Sequence, residues 1–119
     1  VDGILGWIHF ASEDMEPFAI TADGGDVIDY TQSNDFVLLS HELTTNSTYT
    51  INLPSPLDQA YRTIQFISDD TIQPNHIVTL NAGAFTIDGS QTFEIRRNYE
   101  AITIFSNGSN WVITQAKNA

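Results

Sequence analysis

The sequence predicts an all-β domain, a small antiparallel β-sandwich or barrel of jelly-roll-like type. Three observations predict it. Apolar and polar residues alternate with period two in most segments. Turn residues separate those segments at intervals of about 8–12 positions, the spacing of sandwiches and barrels. Helical periodicity is nearly absent, and only Leu57-Asp58-Gln59-Ala60, within 56–62, suits one helical turn.

The elements follow in chain order. Residues 1–10 carry Trp7, Ile8 and Phe10 without clean alternation, and 11–16 is acidic. Residues 16–21 and 26–31 read as strands, separated by the turn Asp23-Gly24-Gly25. Residues 35–39, 63–67 and 76–80 are short and rich in β-branched or aromatic side chains, as strands are. In 48–53, Tyr49, Ile51 and Leu53 share one face, and Pro54 and Pro56 end the strand because proline donates nothing to a ladder. Asp88-Gly89 marks another reversal. A two-residue loop there splits Phe85 and Ile87 from Phe93 and Ile95, so a three-residue loop through Ser90, or no simple hairpin, is expected.

The C-terminal hairpin is expected across Asn107-Gly108. With a two-residue loop, Ser106 pairs with Ser109, Ile104 faces Trp111 and Ile102 faces Ile113. Those four apolar side chains then form a core face. The opposite face, with Ala101, Thr103 and Phe105 against Thr114, Val112 and Asn110, is not clearly polar. It suits half-burial against another layer or subunit.

Length and composition bound the function. At 119 residues the chain is one domain, 1–119, and its 41% hydrophobic content supports a folded core. It has no cysteine, which excludes disulfide scaffolds, Cys-rich zinc modules and thiol catalysis. Only Arg62, Arg96, Arg97 and Lys117 are basic and the net charge is -11, which argues against nucleic acid and anionic membranes as partners. Such a surface favours solubility, cations or a basic partner. No transmembrane run or signal peptide is visible, and a chain opening on Val1 reads as processed or as a fragment.

Chemical motifs are sparse. His9, His41 and His76 show no metal-pair spacing, and no nucleophile elbow or phosphate loop occurs. The reading is therefore non-enzymatic, without a cofactor; a hydrolase would need a carboxylate pair whose spacing only a structure gives. Asp23, Asp26 and Asp29 surround two glycines and form a weak calcium candidate, although the spacing is not that of an EF-hand. Trp7 and Tyr30 are weak candidates for stacking a glycan. Tyr99 is assigned to core or interface. The sequons at Asn46 and Asn107 are read as chance matches.

Residues 45–116 also carry a connected pattern. It runs from Tyr49-Thr50-Ile51-Asn52-Leu53-Pro54 through Thr63-Ile64-Gln65-Phe66-Ile67 and Ile77-Val78-Thr79-Leu80-Asn81. It continues with Thr86-Ile87-Asp88-Gly89-Ser90 and closes with 99–111, ending Ser106-Asn107-Gly108-Ser109-Asn110-Trp111. This resembles a β-structured module of bacteriophage virion proteins, found in tail fibres, spikes and capsid-decorating proteins. The resemblance implies a structural or adhesive role in a virion, often as a homotrimer in contact with other virion proteins. It implies no catalytic residue. The acidic part, 1–44, lies outside it. A carbohydrate-binding module or host-glycan adhesin is the alternative reading.

Overall fold

A computed structural model describes residues 17–117. The described residues form nine strands: β1 (Phe18–Ala22), β2 (Val27–Asp29), β3 (Phe36–His41), β4 (Tyr49–Asn52), β5 (Thr63–Ser68), β6 (Val78–Asn81), β7 (Thr92–Ile95), β8 (Ala101–Ser106) and β9 (Trp111–Lys117). They build a five-stranded sheet, β1-β3-β5-β8-β9, and a four-stranded sheet, β2-β4-β6-β7.

The first six strands shuttle between the two sheets. Odd strands pair in parallel in one sheet (β1 with β3, β3 with β5) and even strands pair in parallel in the other (β2 with β4, β4 with β6). Parallel neighbours need a crossover, and here each crossover is a strand of the opposite sheet instead of a helix. The result is a short parallel coil in which like residues stack. Ile28, Ile51 and Leu80 lie in one register, and Asp29, Asn52 and Asn81 in the next. Across the other sheet Phe18, Val37 and Phe66 align. The expected antiparallel, jelly-roll arrangement is thereby corrected: the sheets are mixed. Alternation fixes which face is buried but not which strand is the partner.

Antiparallel strands finish the coil. β7 pairs with β6, β8 with β5, and β9 with β8. One core runs between the sheets. It holds Ile20, Val37, Leu39, Ile64 and Phe66 from one side, and Tyr49, Ile51, Val78, Leu80 and Ile95 from the other. Ile102, Ile104 and Trp111 are buried in it, and Ile113 packs against it half-buried.

Trp111 ties the sheets together. Its indole N–H donates to Pro54 O at 3.2 Å, and its backbone N–H donates to Thr86 O at 2.9 Å.

The C-terminal hairpin is wider than the two-residue loop expected. Ser106 pairs with Trp111, so four residues, 107–110, make the turn. Asn107 Oδ1 accepts from the backbone N–H groups of Ser109 and Asn110, both at 2.9 Å, and this local bonding favours the longer loop. Ile104 faces Ile113 and Ile102 faces Ala116, with a bulge between Thr103 and Ile104. Between the loop and the bulge the register slides by two residues, which keeps Ile104, Trp111 and Ile113 on their expected face; past the bulge the slide is three and Ala116 replaces Ile113 opposite Ile102.

At Asp88-Gly89 the turn has two residues. Ile87 and Ser90 exchange backbone hydrogen bonds, and both central residues have positive φ, 49° and 87°, as a type I′ turn requires. It does not join its flanking strands directly: it sits inside the longer 82–91 connection between β6 and β7, which pair with each other antiparallel. Residues 56–61 form consecutive turns without a helix, held by Asp58 N–H to Ser55 O at 3.1 Å and Arg62 N–H to Gln59 O at 2.9 Å.

Candidate functional site

The coil has a corner where β2 passes to β3 and β4 passes to β5. The segments 30–35 and 53–62 meet there and bound an open groove of about 810 Å³. Asp29, Tyr30, Thr31, Gln32, Ser33 and Asp35 line one side, and Asn52, Leu53, Pro54, Gln59 and Arg62 the other.

Arg62 holds the corner shut. Its Nε donates to Asp35 Oδ1 at 3.0 Å and Nη1 to Gln59 Oε1 at 2.9 Å. Its Nη2 donates to the carbonyls of Gln32 at 3.0 Å and Asn34 at 2.7 Å. Four of the five guanidinium donors are thus committed within the protein. The guanidinium carbon lies 6.0 Å from the centre of the Tyr30 ring. On the neighbouring strand a polar ladder runs outward: Asn81 Nδ2 donates to Asn52 Oδ1 at 3.0 Å, and Asn52 Nδ2 donates to Asp29 Oδ1 at 2.8 Å. The groove therefore presents carboxylate and amide edges beside the apolar surface of Leu53 and Pro54.

The residues singled out by sequence fall as follows. Trp7 lies outside the described residues. Tyr30 is 2% exposed, so its ring offers no open face for stacking. It packs on Phe18 and edge-on to Phe66, and its hydroxyl donates to Asn34 O at 2.5 Å. Burial pushes that hydroxyl above its ordinary range, Arg62 opposing and Asp35 reinforcing. Tyr30 was attractive as a free aromatic because strand pattern alone did not show the neighbouring Phe18 and Phe66. Tyr99, expected in core or interface, is 56% exposed and has a φ of 54° just before β8.

Asp23, Asp26 and Asp29 are not gathered. Asp23 accepts from the backbone N–H of Thr45 at 2.9 Å and from its hydroxyl at 3.1 Å. These bonds, the backbone one foremost, hold its carboxyl below the usual range against a smaller opposing effect of desolvation. Asp26 accepts from the Asp23 N–H at 2.9 Å, and Asp29 is bonded to Asn52. Turn and ladder bonds thus hold the three carboxylates on separate partners. Among the described residues no group of three or more His, Asp or Glu is placed to hold a metal ion.

Sequence spacing missed a second cluster. His41 and His76 lie with ring centres 4.8 Å apart, and His41 lies 5.6 Å from Tyr49. His41 Nε2 is 2.9 Å from Ser47 O, while Nδ1 accepts from the Leu43 N–H at 3.0 Å. This geometry assigns the neutral Nε2–H tautomer. The Tyr49 hydroxyl and both His76 ring nitrogens are buried without a hydrogen-bond partner. Burial, with the nearby Asp69 charge, raises the Tyr49 hydroxyl far above its ordinary range. The cluster meets only once β3 and β4 stand in opposite sheets.

A third feature is the outward face of the five-stranded sheet. Ala19 and Thr21 of β1, Phe36, Leu38 and Ser40 of β3, Thr63, Gln65 and Ile67 of β5, and Ala101, Thr103 and Phe105 of β8 point away from the core. None is charged, in a chain of net charge -11. Of the charges at the strand ends, Asp69 accepts from Ser40 and Thr71, and Asp35 pairs with Arg62. Leu38 is 40% exposed.

One signal for the groove was present in the sequence. Ile28-Asp29, Ile51-Asn52 and Leu80-Asn81 repeat an apolar residue followed by Asp or Asn at the end of each stacked strand. Gln59 and Arg62 carried no comparable pattern, since a turn brings them to the corner. Compared with known proteins, the chain matches no family model and no curated protein.

Proposed function

We propose that this chain is a non-enzymatic structural module of a bacteriophage virion, of the tail-fibre, spike or capsid-decorating kind, that works as a homotrimer in contact with other virion proteins. The uncharged outward side chains of β1, β3, β5 and β8 carry the reading. A chain of net charge -11 repels its own copies over most of its surface. The outward side chains of β1, β3, β5 and β8 add no charge to that repulsion, and Phe36, Leu38, Ile67 and Phe105 offer apolar area for burial. Burying that face also shields the sheet from non-specific association, a need of any exposed apolar patch. The resemblance of 45–116 to virion modules supplies the setting.

Sedimentation equilibrium of the wild type and of Leu38→Glu tests the reading. The wild type is expected to associate, and the added carboxylate is expected to dissociate it while the far-ultraviolet spectrum stays unchanged. Association that is indifferent to Leu38→Glu would place the interface elsewhere and remove the observation on which the proposal stands.

A further inference from the structure

We infer that the groove at the coil corner binds a short neutral saccharide. This goes beyond the self-association reading and does not depend on it, because none of the groove's lining residues lies in a strand of the five-stranded sheet.

The shape admits such a ligand. The groove's volume of about 810 Å³ falls within the range of small-molecule sites, and its mouth is open to solvent. Its chemistry narrows the class. Ligand hydroxyls both donate and accept, so they are matched by free acceptors and free donors held together in fixed geometry. Asp29 spends one carboxylate oxygen on Asn52 and keeps the other, and Asp35 does likewise with Arg62. Gln59 spends its carbonyl oxygen on Arg62 and keeps its amide donors. These partners also fix the side chains in advance, which lowers the ordering cost of binding. Leu53 and Pro54 provide an apolar strip against which the C–H face of a sugar ring can lie.

Charge excludes the nearest competitors. An anionic ligand meets two carboxylates and a guanidinium whose donors are almost all committed to the protein. An apolar ligand would strip water from Asp29, Asp35 and Gln59 without returning hydrogen bonds, which is costly. A neutral polyhydroxyl ring avoids both penalties. The Tyr30 ring lies beneath the groove as support for Arg62, so affinity rests on hydrogen bonds and should be modest, with a dissociation constant on the order of 1 mM.

The test is an amide-shift titration of the full chain by nuclear magnetic resonance. The probes are linear tetrasaccharides of glucose, galactose and mannose, with lactose, sialyllactose and trilysine. At least one neutral probe should shift the amides of Asp29, Thr31, Asn52 and Gln59 together. Asp29→Ala and Gln59→Ala should each weaken that binding about tenfold or more, in proteins whose remaining spectrum matches the wild type; two variants guard against one failing to fold. Sialyllactose should bind no more tightly than lactose. The inference is overturned if no neutral probe shifts these amides at about 20 mM, a concentration well above the expected constant. It is also overturned if the shifts fall outside the groove, if both variants bind as the wild type does, or if trilysine or sialyllactose is the preferred ligand. Sedimentation reads self-association separately, so either proposal can fail alone.

Discussion

Trp111→Ala removes the side chain that joins the two sheets, and its cost can be worked from the structure. Trp111 is fully buried. An aromatic of its size buries about 150–250 Å². At about 25 cal/mol per Å² that is roughly 4–6 kcal/mol, an upper bound because the unfolded chain already shelters part of the surface and alanine retains some. The indole hydrogen bond to Pro54 O adds about 1 kcal/mol. Partial collapse of the cavity returns some of this, so a loss of about 3–5 kcal/mol is expected. With a guanidinium slope of about 4 kcal/mol/M, the unfolding midpoint falls by on the order of 1 M. Trp111→Phe separates the contributions. It keeps a ring and loses the Pro54 bond, so it should cost less than half as much as alanine. Protein concentration must be held fixed, because association would raise apparent stability. A loss below about 1.5 kcal/mol for Trp111→Ala would refute the claim that this residue anchors the core.

Further expectations follow from single contacts. Tyr49→Phe removes a buried hydroxyl that has no partner, so it should leave stability unchanged or raise it by up to about 1 kcal/mol in denaturant titrations; a clear loss would show that the hydroxyl is bonded. Gly24→Ala would place a Cβ 2.6 Å from the Ser47 Cβ and 2.9 Å from Thr45 O, so thermal melts should show a loss of about 1–3 kcal/mol. Asp69 is pushed upward by burial but held lower on balance by the Ser40 and Thr71 hydrogen bonds, which leave its carboxyl below the ordinary 3.8. Its contribution is therefore full above the unfolded value and lost as pH falls through the folded one. Asp69→Asn should flatten the acid limb below about pH 4 in urea titrations, and an unchanged limb would show that Asp69 does not drive it. Chelation with EDTA should leave the melting temperature unmoved, whereas a drop would show that the Asp23 turn meets a cation after all.

The legible part of the fold was the part that alternation encodes. Tyr49, Ile51, Ile64, Phe66, Ile102 and Ile104 lie inside because their strands place every second residue on one face. Pairing was not legible in the same way. The 48–53 segment looks the same whether its neighbour runs parallel or antiparallel, and only the recurring Asp29, Asn52 and Asn81 mark the stacked register. The hairpin keeps its faces from the 107–110 loop as far as Ile104 and Ile113, because an error of two residues preserves parity; the bulge beyond them leaves no sequence trace. The groove depends on Gln59 and Arg62, which a run of turns carries to the corner, and turns leave no periodic trace. Tyr30 and the three aspartates show the reverse failure. Packing encloses the Tyr30 ring, and turn and ladder hydrogen bonds hold the three carboxylates on separate partners, neither of which residue type reveals.

The most direct test of the central proposal is the mass of the intact chain by light scattering on a sizing column, at low and at high salt. A mass near three times the 13.2 kDa of one chain is expected, holding or strengthening as salt screens the repulsion among copies of net charge -11. A mass of one chain at both salt concentrations, across the accessible protein concentrations, would contradict it.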